Sequence, residues 1–286
     1  MDARLQRRIQ RYGWDLAASD YEPLWKAQLA EAQKAVLRAA SPARGERVLD
    51  LACGTGLVAL QAARAVGPHG RVLGIDLSAR MIAAARAHAL EQAVPNAEFS
   101  RMDAEKLDLP ARTFDVALCA LGFMYLPDPE RALLEMRRVL RPGGRIALAV
   151  WGERERCGWS GVFPIAAAEV ASDVCPLFFQ LGQGSALAEL CGRLQFDTIH
   201  HSRIQATLSY ADAATACDAA LVGGPVALAW SRFSEEVRDR VRARYLQSIE
   251  PWKCGAGYRV PAEFVVVSGV VPQPGGLRIA AGGFSV

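Results

Sequence analysis

Two glycines one residue apart, Gly54 and Gly56, follow a short apolar run at 48–51 and precede a helical pattern at 57–66. Glycines in that setting let backbone approach a ligand closely, and the start of a helix offers free N–H groups. Gly54-x-Gly56-x-x-Ala59 also satisfies the dinucleotide fingerprint, so the loop alone does not choose its ligand. Asp50 tips the choice. It stands before the loop at the carboxyl end of a strand, where a carboxylate repels a pyrophosphate and suits a cation. An acid inside an apolar strand is costly without such a partner. S-adenosylmethionine meets the requirement, since it carries a sulfonium and an ammonium and no phosphate. The competing reading of Asp50 is an acid that caps or braces the loop.

Asp76 closes a second strand pattern at 71–77, 20 residues after Gly56. An acid there can accept both hydroxyls of a ribose, whichever cofactor carries it. Capping the next helix falls more naturally to Ser78, which leaves Asp76 for the ligand. Met102-Asp103-Ala104 follows a third strand pattern. Asp103 could accept from an adenine amino group, with the Ala104 N–H available to a ring nitrogen. Equally, Asp103 could be a solvated loop acid, because Glu105 and Asp108 lie beside it.

The elements that must hold these residues are strands at 48–51, 71–77, 97–102, 114–121 and 145–151, alternating with helices at 57–66, 79–92 and 129–140. Arg141-Pro142-Gly143-Gly144 reads as a stop signal after the last of these. Strand–helix alternation implies parallel βαβ units, and continuous apolar runs fit strands buried on both faces. The fold class is α/β: a doubly wound, Rossmann-like, mostly parallel seven-stranded sheet, with helical insertions forming a cap. Later strands at 197–210 and 263–270 complete the sheet, and helices fall at 184–194, 211–222 and 234–248. An amphipathic stretch at 21–40 precedes the first strand. The expected organisation is an N-terminal helical segment at 1–40, one domain at 41–270 with cap insertions at about 153–182 and 211–260, and a tail at 271–286.

Composition supports a globular, water-soluble chain. Of 286 residues, 51% are hydrophobic and 22% charged, and the net charge is +3, too balanced to argue for a nucleic-acid partner. Seven cysteines, widely spaced and without a CxxC pair, give no zinc ribbon and no obvious disulfide framework. The first residues lack an apolar signal segment, and no run reaches the ~18 apolar residues of a membrane span. A cytoplasmic location is expected, as a monomer or a homodimer. The stripe Arg4, Arg7, Arg8, Arg11 reads as a solvated helix face in preference to an RNA or membrane contact.

In order and spacing, VLDLACGTG at 48–56, GIDLSARMI at 74–82, MDAEKLDLP at 102–110, FDVALCALGFMYLPDP at 114–129 and MRRVLRPGGRIALAVWG at 136–152 resemble the class I S-adenosylmethionine-dependent methyltransferases. The similarity is greatest to the small-molecule branch of ubiquinone/menaquinone-biosynthesis type. It covers about 12–152. The resemblance implies that Asp50 and the Ala52, Cys53, Gly54, Thr55 and Gly56 backbone hold the methionine part. Asp76 would bind the ribose, Leu77 and Met81 would line the adenine, Met102, Asp103 and Ala104 would address its edge, and Cys119 would lie beside the cofactor. It also implies that Trp14-x-x-x-Ala18-x-x-Tyr21 is a lid over the methionine end. The chain departs from the Asn/Asp-Pro-Pro-aromatic signature of amino methyltransferases, having Cys119-Ala120-Leu121-Gly122. No paired Asp/Asn cluster follows strand four, so no magnesium site and no other metal is expected.

Methyl transfer from a sulfonium needs alignment more than acid–base help, since the leaving group departs without protonation. His69, His88, His200 and His201 are poorly placed as a base, and Tyr125 is better placed. Aromatic groups offered to an acceptor are Phe123, Tyr125, Trp151, Trp159, Phe163, Phe178, Phe179, Trp230 and Trp252. Phe123, Trp151 and Phe178 are the named wall candidates. Such walls suit a flat or greasy acceptor: a quinone precursor, phenol, polyketide or prenyl compound. The expected reaction is methylation of an oxygen or carbon of that small molecule, yielding S-adenosyl-L-homocysteine. Two alternatives stay open: a cofactor-binding regulator or assembly factor without methyl transfer, and a nicotinamide-dependent oxidoreductase.

Overall fold

In the computed structural model, residues 3–170 and 178–273 are described. The expected tail at 271–286 therefore lies almost wholly outside the described residues, as does 171–177 of the first insertion. Five parallel strands form the first part of the sheet: β1 (Arg47–Leu51), β2 (Arg71–Asp76), β3 (Ala97–Arg101), β4 (Phe114–Ala120) and β5 (Leu140–Trp151). Connecting them are α2 (Leu57–Val66), α3 (Ala79–Glu91) and α4 (Pro129–Val139). Their starts follow local chemistry. The Ser78 hydroxyl accepts from the Met81 N–H, and Asp128 accepts from the Arg131 N–H with Pro129 at the first helical position. In β1, β4 and the latter part of β5, consecutive residues are buried, as expected of strands covered on both faces.

Beyond β5 the chain forms α5 (Val162–Ala167), α6 (Ala186–Arg193), β6 (Asp197–Tyr210), α7 (Ala213–Leu221), α8 (Ala227–Arg232), α9 (Glu235–Ile249), β7 (Lys253–Cys254) and β8 (Gly257–Val270). The sheet order is β3-β2-β1-β4-β5-β8-β6. β8 runs antiparallel between β5 and β6, and the two-residue β7 hairpins onto the start of β8. Seven principal strands thus stand as the sequence suggests, with β7 as a short eighth.

Three boundaries differ from the sequence reading. α1 (Ala3–Ala40) is one helix of 38 residues, not one beginning at 21. Pro23 inside it forfeits one intrahelical hydrogen bond, and the helix continues because its later half is fixed in the core through Trp25, Leu29, Ala32 and Val36. The Arg141–Gly144 stop signal ends α4 but makes no turn. It enters β5 as a bulge, with Gly143 left-handed (φ 79°), the register shifting between Phe114 and Val116, and the Gly143 N–H bonding to the Val271 carbonyl. β8 begins at Gly257, six residues early, and Pro261 is tolerated because β5 pairs only from Phe264 onward.

The loops after β5 are tied to the antiparallel edge by one buried pair. Glu263 on β8 is fully buried and accepts from Arg203 (2.5 Å), Gln205 (2.7 Å) and the Glu153 N–H (3.1 Å). Arg203 also donates to the Gly182 and Gly184 carbonyls at 2.9 and 2.6 Å. Both ends of the 153–182 insertion are therefore fastened to the same carboxylate–guanidinium pair. Arg203→Met leaves that carboxylate with only Gln205, Arg156 and a backbone N–H. Because Arg203 is itself partly exposed, the expected cost is about 2–3 kcal/mol, below that of a fully buried pair. Urea unfolding measures it.

Candidate functional site

β1, β2 and β4 deliver their carboxyl ends side by side, and a cavity opens over them. It holds about 1020 Å³ of empty space, part of it open to solvent. Ala52, Gly54, Asp76, Leu77, Met81, Met102, Asp103 and Ala104 line one side, and Ala120, Leu121, Gly122 and Tyr125 lie on the β4 side. α1 supplies the opposite wall through Arg7, Gln10, Trp14, Tyr21, Trp25 and Leu29, at helical spacings of three, four and seven. Trp151 and Trp159 line the far end with Trp25, their rings 4.8–6.1 Å apart.

A second chamber of about 290 Å³ adjoins it and shares Tyr21, Ala52, Gly54 and Ala120 with it. Asp50, Gln33, Cys53 and Thr55 also line this chamber. Asp50 is 1% exposed, and its Oδ2 has no hydrogen-bond partner. The Thr55 hydroxyl is likewise buried and unpartnered. Burial pushes the Asp50 carboxyl up to about 8, the Ala59 backbone N–H opposes this, and the negative Asp76 adds to it. No side-chain cation lines the chamber.

Asp76 already does structural work. Its Oδ2 accepts the Gly54 N–H at 2.9 Å and its Oδ1 the Ser78 N–H at 2.8 Å. Each oxygen keeps a lone pair for a further donor. Burial raises this carboxyl to about 6 despite those two N–H groups. The glycine loop is shaped by left-handed backbone: Gly54 has φ 54° and Gly56 has φ 88°, where Gly56 caps α2. Ala52 (φ 50°) and Leu121 (φ 64°) share this conformation without being glycine, and both line the cavity. Such residues cost of order 1–3 kcal/mol each and persist only where their surroundings impose them.

Asp103 is not a solvated loop acid. Its Oδ1 accepts the Glu105 N–H at 2.9 Å, and its Oδ2 pairs with the Arg7 Nε at 3.2 Å. Arg7 also pairs with the buried Glu105. The arginine stripe therefore is not wholly solvated, because α1 extends far enough to bring Arg7 onto the loop after β3. Two further contacts hold the same helix half: the Ser78 hydroxyl donates to Asp15 at 2.6 Å, and Glu22 lies 3.0 Å from the His88 Nδ1.

Not every sequence candidate reaches the cavity. Phe123 is fully buried and Phe178 is 1% exposed, and neither lines it. As direct acceptor contacts they are corrected: Phe178 instead packs edge-on against Tyr125 at 5.2 Å and on Trp159 at 5.7 Å. Cys119 is buried behind Gly122, where a Cβ would stand 2.7 Å from its sulfur and 2.5 Å from the Ala52 Cβ. Its thiol is pushed well up by burial. Gly56 shapes the loop from outside both chambers. Phe163, Phe179, Trp230 and Trp252 do not line the cavity, and neither does any of the four histidines. Gln33, Arg7, Glu105, Trp25, Gly224 and Pro225 were not singled out as site residues. For those on α1, the signal was the unbroken period from 7 to 29, which Pro23 disguises.

A fully buried acid with a raised pKa makes the folded protein bind a proton that the unfolded chain releases. Stability supplied by protonated Asp50 is complete below the ordinary carboxyl range and is lost as pH rises to about 8. Cofactor-free Asp50→Asn should therefore melt higher than the unsubstituted protein, with the gap in Tm widening from pH 5 to pH 8 and then levelling. Thermal denaturation across that range measures it.

Residues 48–144 match the family described as a methyltransferase domain. The chain is 37% identical over 134 residues to aklanonic acid methyltransferase DauC of Streptomyces sp. strain C5, covering 47% of this chain and 61% of that protein. It is 38% identical over 133 residues to the ubiquinone/menaquinone biosynthesis C-methyltransferase UbiE of Stutzerimonas stutzeri, covering 46% and 49%. The chain thus spans about half to three-fifths of the curated relatives it matches. The structure of YcgJ from Bacillus subtilis superposes with a TM-score of 0.59 at 17% identity, over 86% of this chain and all of that one, which shows a shared fold. In its matched domain and its curated relatives, the chain is similar to the class I S-adenosylmethionine-dependent methyltransferases, most of all to the ubiquinone/menaquinone-biosynthesis branch.

Proposed function

We propose that this chain transfers a methyl group from S-adenosylmethionine to an oxygen or carbon of a flat, apolar small molecule. The observation that carries the proposal is the unpartnered, buried Asp50 Oδ2, in a chamber that opens into a cavity ending in three tryptophans. A buried carboxylate without a cation is unfavourable, and an ammonium brought by a ligand removes the penalty. Thr55 and Gln33 offer hydroxyl and amide donors to the adjoining carboxylate of the same ligand. Asp76 would take the ribose hydroxyls. Leu77, Met81 and Met102 would flank the adenine, whose edge would meet Asp103 and Ala104. The cofactor, when bound, supplies an electrophilic methyl on a sulfonium.

The remaining work belongs to the protein. Trp25, Trp151 and Trp159 exclude water and hold a flat acceptor by ring contact. The first half of α1 acts as the lid over the cofactor, fastened by Arg7, Asp15 and Glu22. Tyr125, beside Trp14 at 5.0 Å, is the tyrosine on the β4 side of the cavity and the candidate acceptor contact or proton acceptor. Relatives named for aklanonic acid and for ubiquinone/menaquinone biosynthesis support this acceptor class.

Two outcomes follow. Titration calorimetry at about pH 6.5 should show S-adenosylmethionine binding with release of close to one proton, and Asp50→Asn should bind at least tenfold more weakly with no release. Absence of binding by the unsubstituted protein contradicts the proposal. Trp159→Ala should raise the KM for a naphthoquinol or phenolic acceptor about tenfold or more while leaving cofactor affinity unchanged. If no such acceptor yields S-adenosylhomocysteine although the cofactor binds, the cofactor-binding regulator becomes the better reading.

A further inference from the structure

The outer face of α1 carries a pattern that the cofactor site does not use. Six large hydrophobic residues are exposed among the described residues, and four of them are Leu5, Ile9, Tyr12 and Leu16. Their spacings of four, three and four put them in one stripe on the helix. Their exposures run from 36% to 47%, more than a packed helix face shows. The stripe lies opposite Arg7, Gln10, Trp14 and Tyr21, which face the cavity. Arg4, Arg8 and Arg11 form a ridge along one flank of the stripe; Arg4 and Arg8 are exposed, and the Arg11 guanidinium lies 4.5 Å over the Tyr12 ring. Asp15, one turn beyond Arg11, is turned inward to Ser78.

The geometry points to a membrane-surface docking site: the apolar stripe enters the boundary of an anionic phospholipid bilayer, and the arginine ridge meets its headgroups. An apolar stripe flanked by arginines is the complementary partner of such a surface. A second copy of the chain fits the stripe less well. It spans less than two heptads, whereas a coiled coil needs three or four. Four side chains, each less than half exposed, also offer far less than the ~800 Å² a side of a stable dimer. No described helix is long and apolar enough to cross a membrane, so the contact is peripheral. Docking this face places α1 between the lipid and the cavity. That arrangement suits an acceptor that partitions into lipid, but the docking itself does not depend on methyl transfer.

Sedimentation with vesicles of phosphatidylcholine and phosphatidylglycerol, at about three to one, tests the inference. The full chain should bind them, bind pure phosphatidylcholine vesicles about tenfold less, and dissociate as salt rises from about 0.05 to 0.5 M. The triple variant Leu5→Ser, Ile9→Ser, Leu16→Ser and the double variant Arg8→Glu, Arg11→Glu should each lose about tenfold or more of the binding while keeping their circular dichroism and S-adenosylhomocysteine affinity. The double variant keeps all four apolar residues of the stripe and gives up one ring contact, that of Arg11 on Tyr12, so it decides the matter even if the triple variant misfolds. Failure of the unsubstituted chain to bind anionic vesicles overturns the inference. So does a solution dimer that the triple variant dissociates, in a chain that ignores vesicles.

Discussion

Asp50 is held out of water between the ends of β1, β2 and β4, where no side-chain cation among the described residues lines its chamber. Its register partners are Gly74 on β2 and Leu118 on β4, neither of which can offer it a charge. The nearest acid, Asp76, raises its proton affinity further. The rest of the site is arranged around that unmet need. The left-handed loop from Ala52 to Gly56 curls over the carboxylate, Asp76 fastens the loop through the Gly54 N–H, and the Tyr21 ring closes the chamber from α1. Burial raises the Tyr21 hydroxyl as well, with Asp76 next in effect. In a pocket this poor in positive charge, a cationic ligand is stabilised by what destabilises the empty protein.

α1 runs the length of the cavity. One helix face reaches from Arg7, beside Asp103, through Trp14 and Tyr21 to Trp25 and Leu29, beside Trp151. The halves on either side of Pro23 are held differently. The later half buries Trp25, Leu29, Ala32, Val36 and Ala40 in the core, whereas in the earlier half Ala17 alone among the described residues is buried. Polar contacts at Arg7, Asp15 and Glu22 hold the earlier half in place of core burial. The insertion bearing Trp159, by contrast, is fastened at both ends to Arg203 and Glu263.

The cofactor half was legible in the sequence because local rules decide it. Apolar runs, Ser78 as a cap, and the glycine pair all act within a few residues of themselves, and the five strands and their helices appear where those signals lie. Long-range chemistry was not legible. That Arg7 pairs with Asp103 depends on where a helix of 38 residues lands, and nothing in the neighbourhood of either residue encodes it. Phe123 and Trp151 look alike as aromatic residues near strand ends, yet packing buries the first in the core and sets the second on the cavity wall. Asp50 was the exception: an acid in an apolar strand is a local conflict, and local conflicts of that kind point to sites.

A crystal structure with S-adenosylhomocysteine is the most direct test of the role given to Asp50. The account predicts the ligand's ammonium within hydrogen-bonding distance of the Asp50 carboxylate, its ribose on Asp76, and its sulfur facing the cavity that ends in Trp25, Trp151 and Trp159. A ligand bound with its amino end elsewhere, leaving Asp50 buried and still without a partner, would contradict it.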